Sequence, residues 1–229
     1  MAKNKSKNKF IKISYDIEPA MPIFEGNRPN KVEAVDSFKS GQTWNSYYLG
    51  IGNHNGTHID APNHFCPTGK RICDFEMSDF VFSAITLVDI PKKAGDGISV
   101  NDLAKIPRQK GNCDLLLLRT GFHKQRGRPA YTNNNPWLTQ EAANFIRSKF
   151  RRLRAIGIDT VSIASLANLA AGGESHRILL DQGAFKSSPV MVIEDLNLAY
   201  IPMKIKRLFA IPLFVTKVDS MPCTAFIEA

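Results

Sequence analysis

His54-Asn55-Gly56-Thr57-His58-Ile59-Asp60-Ala61-Pro62-Asn63-His64 places three of the chain's five histidines and one aspartate in eleven residues. A fully extended strand would hold residues four apart at about 13 Å, whereas two donors on one Zn²⁺, each bonded at about 2.0–2.1 Å, must approach within roughly 3–4 Å. The chain therefore has to bend between His54 and His58. Asn55-Gly56 is a strong turn signal, because glycine accepts positive φ without a Cβ clash. A helical pairing of His54 with His58, as in HExxH proteases, is opposed by Asn55-Gly56 inside the interval and Pro62 after it. Beyond the turn His58 and Asp60 project to one side of an extended segment and Ile59 to the other, into a core. Two imidazoles and a carboxylate then converge, a set that suits Zn²⁺, Mn²⁺ or Fe²⁺, and the carboxylate has a second oxygen with which to bridge a second ion. His64, past the rigid Pro62, falls near the ion without necessarily binding it, and its ordinary pKa of about 6.5 suits a general acid or base. The competing reading is of loop histidines that hydrogen-bond locally.

Outward from this stretch, short apolar runs alternate with helical periodicity. Candidate strands are Phe10 to Asp16, Ile85 to Ile90, Leu115 to Leu118, Ala155 to Ile158, Val190 to Ile193, Phe209 to Pro212 and Thr224 to Ile227. Leu138, Ala142, Phe145, Ile146, Phe150 and Leu153 recur at steps of three or four and predict a helix from about Thr139. Its other side carries Arg147, Arg151 and Arg154, expected as a solvated basic face near a helix C-terminus. A second helix is expected from Glu174 to Gln182, with Gly183 as a left-handed stop. The pattern predicts a mixed α/β protein.

At 229 residues, 43% hydrophobic and 22% charged, the chain can bury a core, and it is neither disordered nor of low complexity. No apolar run approaches the roughly 18–20 residues of a membrane span, and the expected location is the cytoplasm. The four cysteines form no CxxC pair and are expected as buried thiols in a reducing compartment. The net charge of +9 suggests nucleic acid at first sight, but Lys3, Lys5, Lys7, Lys9 and Lys12 supply more than half of it with no acid among the first twelve residues. Residues 1–9 read as a disordered basic tail, and residues 10–229 as a single domain. No nucleic-acid or membrane partner is expected, because aromatics do not interleave with the basic residues.

With these residues in view, the chain resembles the cyclase family of metal-dependent hydrolases, which includes bacterial kynurenine formamidase and isatin hydrolase. The family signature HxGTHxDxPxH is matched by His54, Gly56, Thr57, His58, Asp60, Pro62 and His64. Met21-Pro22-Ile23-Phe24-Glu25-Gly26 looks like the family's opening segment, Leu118-Arg119-Thr120-Gly121 like its RTG element and Gly157-Ile158-Asp159-Thr160-Val161-Ser162 like its GxDxxS strand. The resemblance implies a swivelling β/β/α fold with a mixed sheet and flanking helices, assembled as a homodimer or homotetramer. It implies His54, His58 and Asp60 as ligands of a first metal, with Asp60 also reaching a second, His176 and Glu194 completing the site, and His64 as the catalytic acid/base. Glu174 is a rival ligand to Glu194. The cofactor would be one or two divalent ions per chain, Zn or Mn.

The expected activity is hydrolysis of a small amide by metal-activated water, arylformamidase-like on N-formylkynurenine or a related formamide in tryptophan catabolism. The alternatives are isatin hydrolase-like opening of a cyclic amide or lactone with Mn, or a family member that binds metal without turnover. Where relatives carry Asp after the GxDxxS strand this chain has Ala164, Glu25 and Asn27 depart from the opening segment, and Ala184 to Pro189 is of extra length. Trp44 and Phe65 are candidate substrate-binding residues, with Tyr47 and Tyr48 as further apolar walls.

Overall fold

A computed structural model describes residues 9–107, 111–183 and 185–229. The expected tail, save Lys9, and Ala184 lie outside the described residues. In chain order the strands are β1 (Phe10–Lys12), β2 (Lys31–Asp36), β3 (Ser46–Gly50), β4 (His58–Asp60), β5 (Val81–Phe82), β6 (Ile85–Asp89), β7 (Gly97–Ile98), β8 (Leu115–Arg119), β9 (Trp137–Leu138), β10 (Ala155–Ile158), β11 (Met191–Glu194), β12 (Arg207–Pro212) and β13 (Ser220–Glu228). The helices are α1 (Val100–Leu103), α2 (Pro129–Asn133), α3 (Gln140–Lys149) and α4 (Leu169–Leu180).

Leu115, Leu116, Leu117 and Leu118 are all fully buried, as a parallel strand covered on both faces requires. They belong to a nine-stranded mixed sheet in the order β5-β12-β13-β4-β11-β10-β8-β6, with β1 added against β13. β6, β8, β10 and β11 run parallel, and α3 and α4 lie in the connections between them. β4 is inserted antiparallel between β11 and β13. β13 pairs with β4 through Ser220–Pro222 and with β12 through Cys223–Glu228, so one long strand joins the two halves of the sheet. Alternate side chains feed two cores: Ile59, Leu115, Leu117 and Ile193 on one face, and Leu116, Leu118, Ile156 and Val192 under α3 and α4 on the other. The fold is the mixed α/β architecture expected.

Several expectations are corrected. The strand expected from Phe10 to Asp16 stops at Lys12, with one isolated bridge from Ser14 to Leu196. α3 is capped by Thr139, whose side chain accepts from Ala142 N at 3.2 Å, but it ends at Lys149 because Phe150 leaves helical geometry to bury its ring. α4 begins at Leu169, five residues before Glu174. Gly172 and Gly173 disguise its start, because glycine is a poor helix former. Gly172 is nonetheless needed: a Cβ there would meet the Ala164 Cβ at 2.5 Å and its Cα at 2.6 Å.

Gly183 does not adopt the left-handed conformation expected of it. The C-terminal carbonyls of α4 are held instead by Arg147, whose guanidinium donates to Ile178 O, Leu179 O, Asp181 O and Ser187 O. The expected basic face is thus partly structural. Arg147 is 2% exposed, and Arg154 donates to Asp79 O and Val81 O, while Arg151 and Arg152 remain in solvent. All four cysteines are free; Cys113 and Cys223 are buried as expected, but Cys66 is half-buried and Cys73 exposed. Among the described residues no helix is long and apolar enough to cross a membrane.

Candidate metal centre

The turn between His54 and His58 is made at Gly56, with φ +71°. Thr57 then locks the segment: its hydroxyl donates to Asp195 O at 2.5 Å and accepts from Tyr15 N at 3.0 Å. His58, Ile59 and Asp60 follow as β4, with Ile59 fully buried in the core and the two polar side chains on the other side. His58 Nδ1 donates to Gly56 O at 2.8 Å, which leaves Nε2 with the lone pair.

Strand pairing brings the distant acid to this point. Glu194 closes β11 opposite His58, and its Oε1 accepts from Ile163 N at 2.6 Å and Ser162 Oγ at 3.0 Å. The next residue, Asp195, takes φ +50°, a conformation uncommon outside glycine, and is held by Arg126 at 2.9 Å and Tyr131 at 2.5 Å. His176 comes from α4, donating Nδ1–H to Gly172 O at 3.0 Å and aiming Nε2 at Glu194 Oε1, 3.2 Å away. His58 Nε2 lies 3.3 Å from Glu194 Oε2 and 3.5 Å from Asp60 Oδ1; His54 Nδ1 lies 3.1 Å from Asp60 Oδ1, and His176 Nε2 3.8 Å from Asp60 Oδ2. The structure therefore brings His54, His58, Asp60, His176 and Glu194 together.

His58 Nε2 and both oxygens of Asp60 are buried without a hydrogen-bond partner among the described residues. Leaving buried polar groups unpaired costs about 1–3 kcal/mol each, and more when they are charged. A divalent cation satisfies all three, and the mixed imidazole and carboxylate set fits one. The electrostatics agree. Burial lowers the His54 pKa, but contacts with Asp219 and Asp60 outweigh it and push it up to about 10. Burial raises Glu194, but His176 and His58 hold it down at about 2. Asp60 is likewise held well below the usual carboxylate range by His58 and His54 against its burial. The carboxylates remain ionised and demand positive charge at their centre.

His64 stands at the rim, its Nδ1 2.7 Å from Asp219 Oδ2. Asp219 was missed in the sequence: it lies 155 residues from His64 at the head of β13, and no local pattern marks it. The cleft over the centre is about 220 Å³ and is walled by Phe24, Phe65, Val161 and Leu169, with His64 among its lining residues. Phe65 stacks on His176 at 5.1 Å. Trp44 is not among the lining residues. It sits, 54% exposed, in the connection of the β2–β3 hairpin, where Tyr47 and Tyr48 are exposed too. Glu174 faces solvent and pairs with Arg177 at 3.1 Å, which removes it from the centre. Ala164 and Asn27 line the cleft, whereas Glu25 is exposed. Asp159 of the GxDxxS strand accepts from Thr120 N at 2.8 Å and Gly121 N at 2.9 Å, so it ties down the RTG element and binds nothing in the cleft. A larger cleft of about 850 Å³, over Lys92, Arg119 and His123, holds none of the expected site residues.

Comparison with known proteins places this geometry. Residues 11–165 match the model of the family described as "Putative cyclase". Kynurenine formamidase of Bacillus cytotoxicus is 28% identical over 223 residues, covering 96% of this chain and 98% of that protein. The Bacillus anthracis protein of the same name is 26% identical over 221 residues, covering 96% and 98%. Among solved structures, an isatin hydrolase bound to the product analogue thioisatinate superposes with a TM-score of 0.82 at 17% identity, covering 97% of this chain and 92% of that one. Isatin hydrolase A from Labrenzia aggregata gives 0.79 at 22% identity, covering 97% and 94%. With the family model spanning more than half the chain and the signature residues gathered at one buried centre, the chain belongs to the cyclase family.

Proposed function

We propose that the protein is a metal-dependent hydrolase that cleaves the carbon–nitrogen bond of a small amide, arylformamidase-like on N-formylkynurenine or a related formamide. The observation that carries this reading is the group of three buried, unpartnered ligand atoms on His58 and Asp60, ringed by His54, His176 and Glu194. His54, His58 and Asp60 would hold one divalent ion, Zn or Mn, and Asp60, His176 and Glu194 a second. Such an ion supplies a Lewis acid that activates water and polarises a carbonyl. His64 takes the proton released as water attacks and returns it to the leaving nitrogen. Phe24, Phe65, Val161 and Leu169 exclude bulk water and orient an apolar or aryl group over the centre.

One observation favours a second substrate: those apolar walls equally suit a flat neutral ring, as in isatin-like opening of a cyclic amide. A homodimer or homotetramer is proposed as the working unit, supported by the apolar side chains the β2–β3 hairpin leaves exposed. The four free thiols suit a reducing cytoplasm.

The test is elemental analysis of protein purified without chelator, run beside hydrolysis assays on N-formylkynurenine and isatin. Bound metal with formamide turnover is the expected result. Metal with isatin turnover alone moves the assignment to the cyclic amide. No metal after reconstitution, with His58→Ala indistinguishable from the parent, overturns the reading.

A further inference from the structure

We propose that Asp219 is the positioning residue of this site, one oxygen of its carboxylate setting the tautomers of His64 and His54 together. Oδ2 lies 2.7 Å from His64 Nδ1 and 3.1 Å from His54 Nε2, while Oδ1 accepts from Asn53 Nδ2 at 2.9 Å. An ionised carboxylate only accepts hydrogen bonds, so both facing ring nitrogens carry their protons. For His54, once neutral as a metal ligand must be, this places the lone pair on Nδ1, the atom 3.1 Å from Asp60 Oδ1 at the metal centre. For His64 it places the lone pair on Nε2, leaving that nitrogen to act as a base in the cleft that the ring lines. A neutral imidazole free in water favours the opposite form, with the proton on Nε2. Without Asp219, His64 would present the cleft with a nitrogen that is already protonated.

The carboxylate is well placed to impose this choice. Asp219 O accepts from Ala61 N at 2.9 Å, and the next residue, Ser220, pairs with Asp60 in the sheet and bonds Asn53 O through its hydroxyl at 3.2 Å. The backbone of Asp219 is thus tied to the strand that carries the ligands, and the His54 and His64 rings, their centroids 4.2 Å apart, both reach its shared oxygen. The arrangement follows the general logic by which a carboxylate behind a catalytic imidazole holds its orientation and tautomer. Because Asp219 reaches the reaction only through the two rings, it is a positioning residue.

This assignment rests on the hydrolase reading above, with His64 as acid/base, and its test has a readout that needs no substrate. The full-length, zinc-loaded protein is labelled with ¹⁵N-histidine, and the His64 signals are identified by their loss in His64→Gln. The wild type is expected to show His64 protonated at Nδ1. Asp219→Ala, and independently the bulkier Asp219→Leu, are expected to shift it to the Nε2–H form. At saturating zinc both variants should lose about 10–100-fold in kcat, the usual effect of removing such an outer-shell partner, with KM within about twofold. At saturating zinc, adding Asp219→Ala to His64→Ala should cost far less kcat than Asp219→Ala costs alone, because only its contact with His54 is then left to lose. His64 still protonated at Nδ1 in both variants, or losses that multiply in the double variant, would overturn the assignment. A wild type that turns over neither formamide nor isatin would defeat the hydrolase reading, while the tautomer spectrum would still decide the role of Asp219.

Discussion

His58 and Glu194 are register partners across the antiparallel pair β4 and β11, which sets His58 Nε2 3.3 Å from Glu194 Oε2 although 136 positions separate them in the chain. β4 is only three residues long, yet it is paired on both edges, by β11 and by β13. The sheet therefore fixes His58 and Asp60 from two sides, and a slip of one residue would turn both into the core and bring Ile59 to the centre.

Removing either register partner should empty the centre without unfolding the sheet. His58→Ala and Glu194→Gln are expected to weaken metal binding by more than the roughly 10–100-fold typical of losing an outer-shell contact. Elemental analysis and competition against a chromophoric chelator measure this, with circular dichroism to show that the fold persists. Metal affinity equal to wild type in both variants would exclude these side chains as ligands.

The same cluster predicts how the chelated protein responds to pH. The His54 pKa stands raised in the fold, from 6.5 to about 10, so its contribution to stability is complete below pH 6.5 and is lost as pH climbs towards 10. Glu194 is depressed from 4.5 to about 2, so its contribution is present above pH 4.5 and is lost as pH falls towards 2. The urea midpoint of chelated protein should therefore fall between pH 6.5 and 10. Metal loading should remove most of that decline, because metal replaces the proton on His54 and binds more tightly as pH rises. A chelated protein equally stable at pH 6.5 and 9.5 would contradict the charge balance described.

The local part of this site was readable because its geometry is local. Eleven residues with a glycine turn and alternation beyond it suffice to bring His54, His58 and Asp60 together, whereas Glu194 came only through the family resemblance, with its place at the polar end of an apolar strand in agreement. Asp219 could not be, because a lone aspartate before a strand has no signature until β13 is laid beside β4. Arg147 was misread for a physical reason: its spacing on α3 matches a solvated face, but α4 docks over that face and takes its guanidinium as a cap. The hairpin of β2 and β3 escaped notice because nine residues connect its strands, without the short turn signal that marks tight hairpins. β5, β7 and β9, at two residues each, are too short to show any period.

That hairpin bears directly on assembly. Val35, Phe38, Trp44, Tyr47, Tyr48 and Leu49 are each more than half exposed, a concentration of apolar surface that the proposed assembly would bury. Replacing Val35 and Tyr48 together by lysine is expected to shift the protein from oligomer to monomer in sedimentation velocity, with the far-ultraviolet spectrum unchanged. A wild-type chain that sediments as a monomer at micromolar concentration would defeat the proposed assembly.

Arg147 offers a test of the scaffold apart from the chemistry. Its guanidinium, over the Phe185 ring at 4.4 Å, bonds four carbonyls at the end of α4 and in the segment that follows. Ile178 and Leu179 are among the last residues of α4, whose carbonyls have no partner within the helix, and a buried cation left unpaired would itself be costly. Arg147→Ala removes the cation and the hydrogen bonds it gives these carbonyls, which should destabilise the protein by about 3 kcal/mol. For a chain of this size that lowers Tm by roughly 6–12 °C. Lysine should not restore it, because a single ammonium cannot reproduce the planar fork that spans carbonyls from Ile178 to Ser187. Arg151→Ala, on the exposed turn just beyond α3, should stay within about 0.5 kcal/mol of wild type. Differential scanning calorimetry on the three variants separates the outcomes, and equal melting of Arg147→Ala and Arg151→Ala would return Arg147 to the solvated face its spacing suggested.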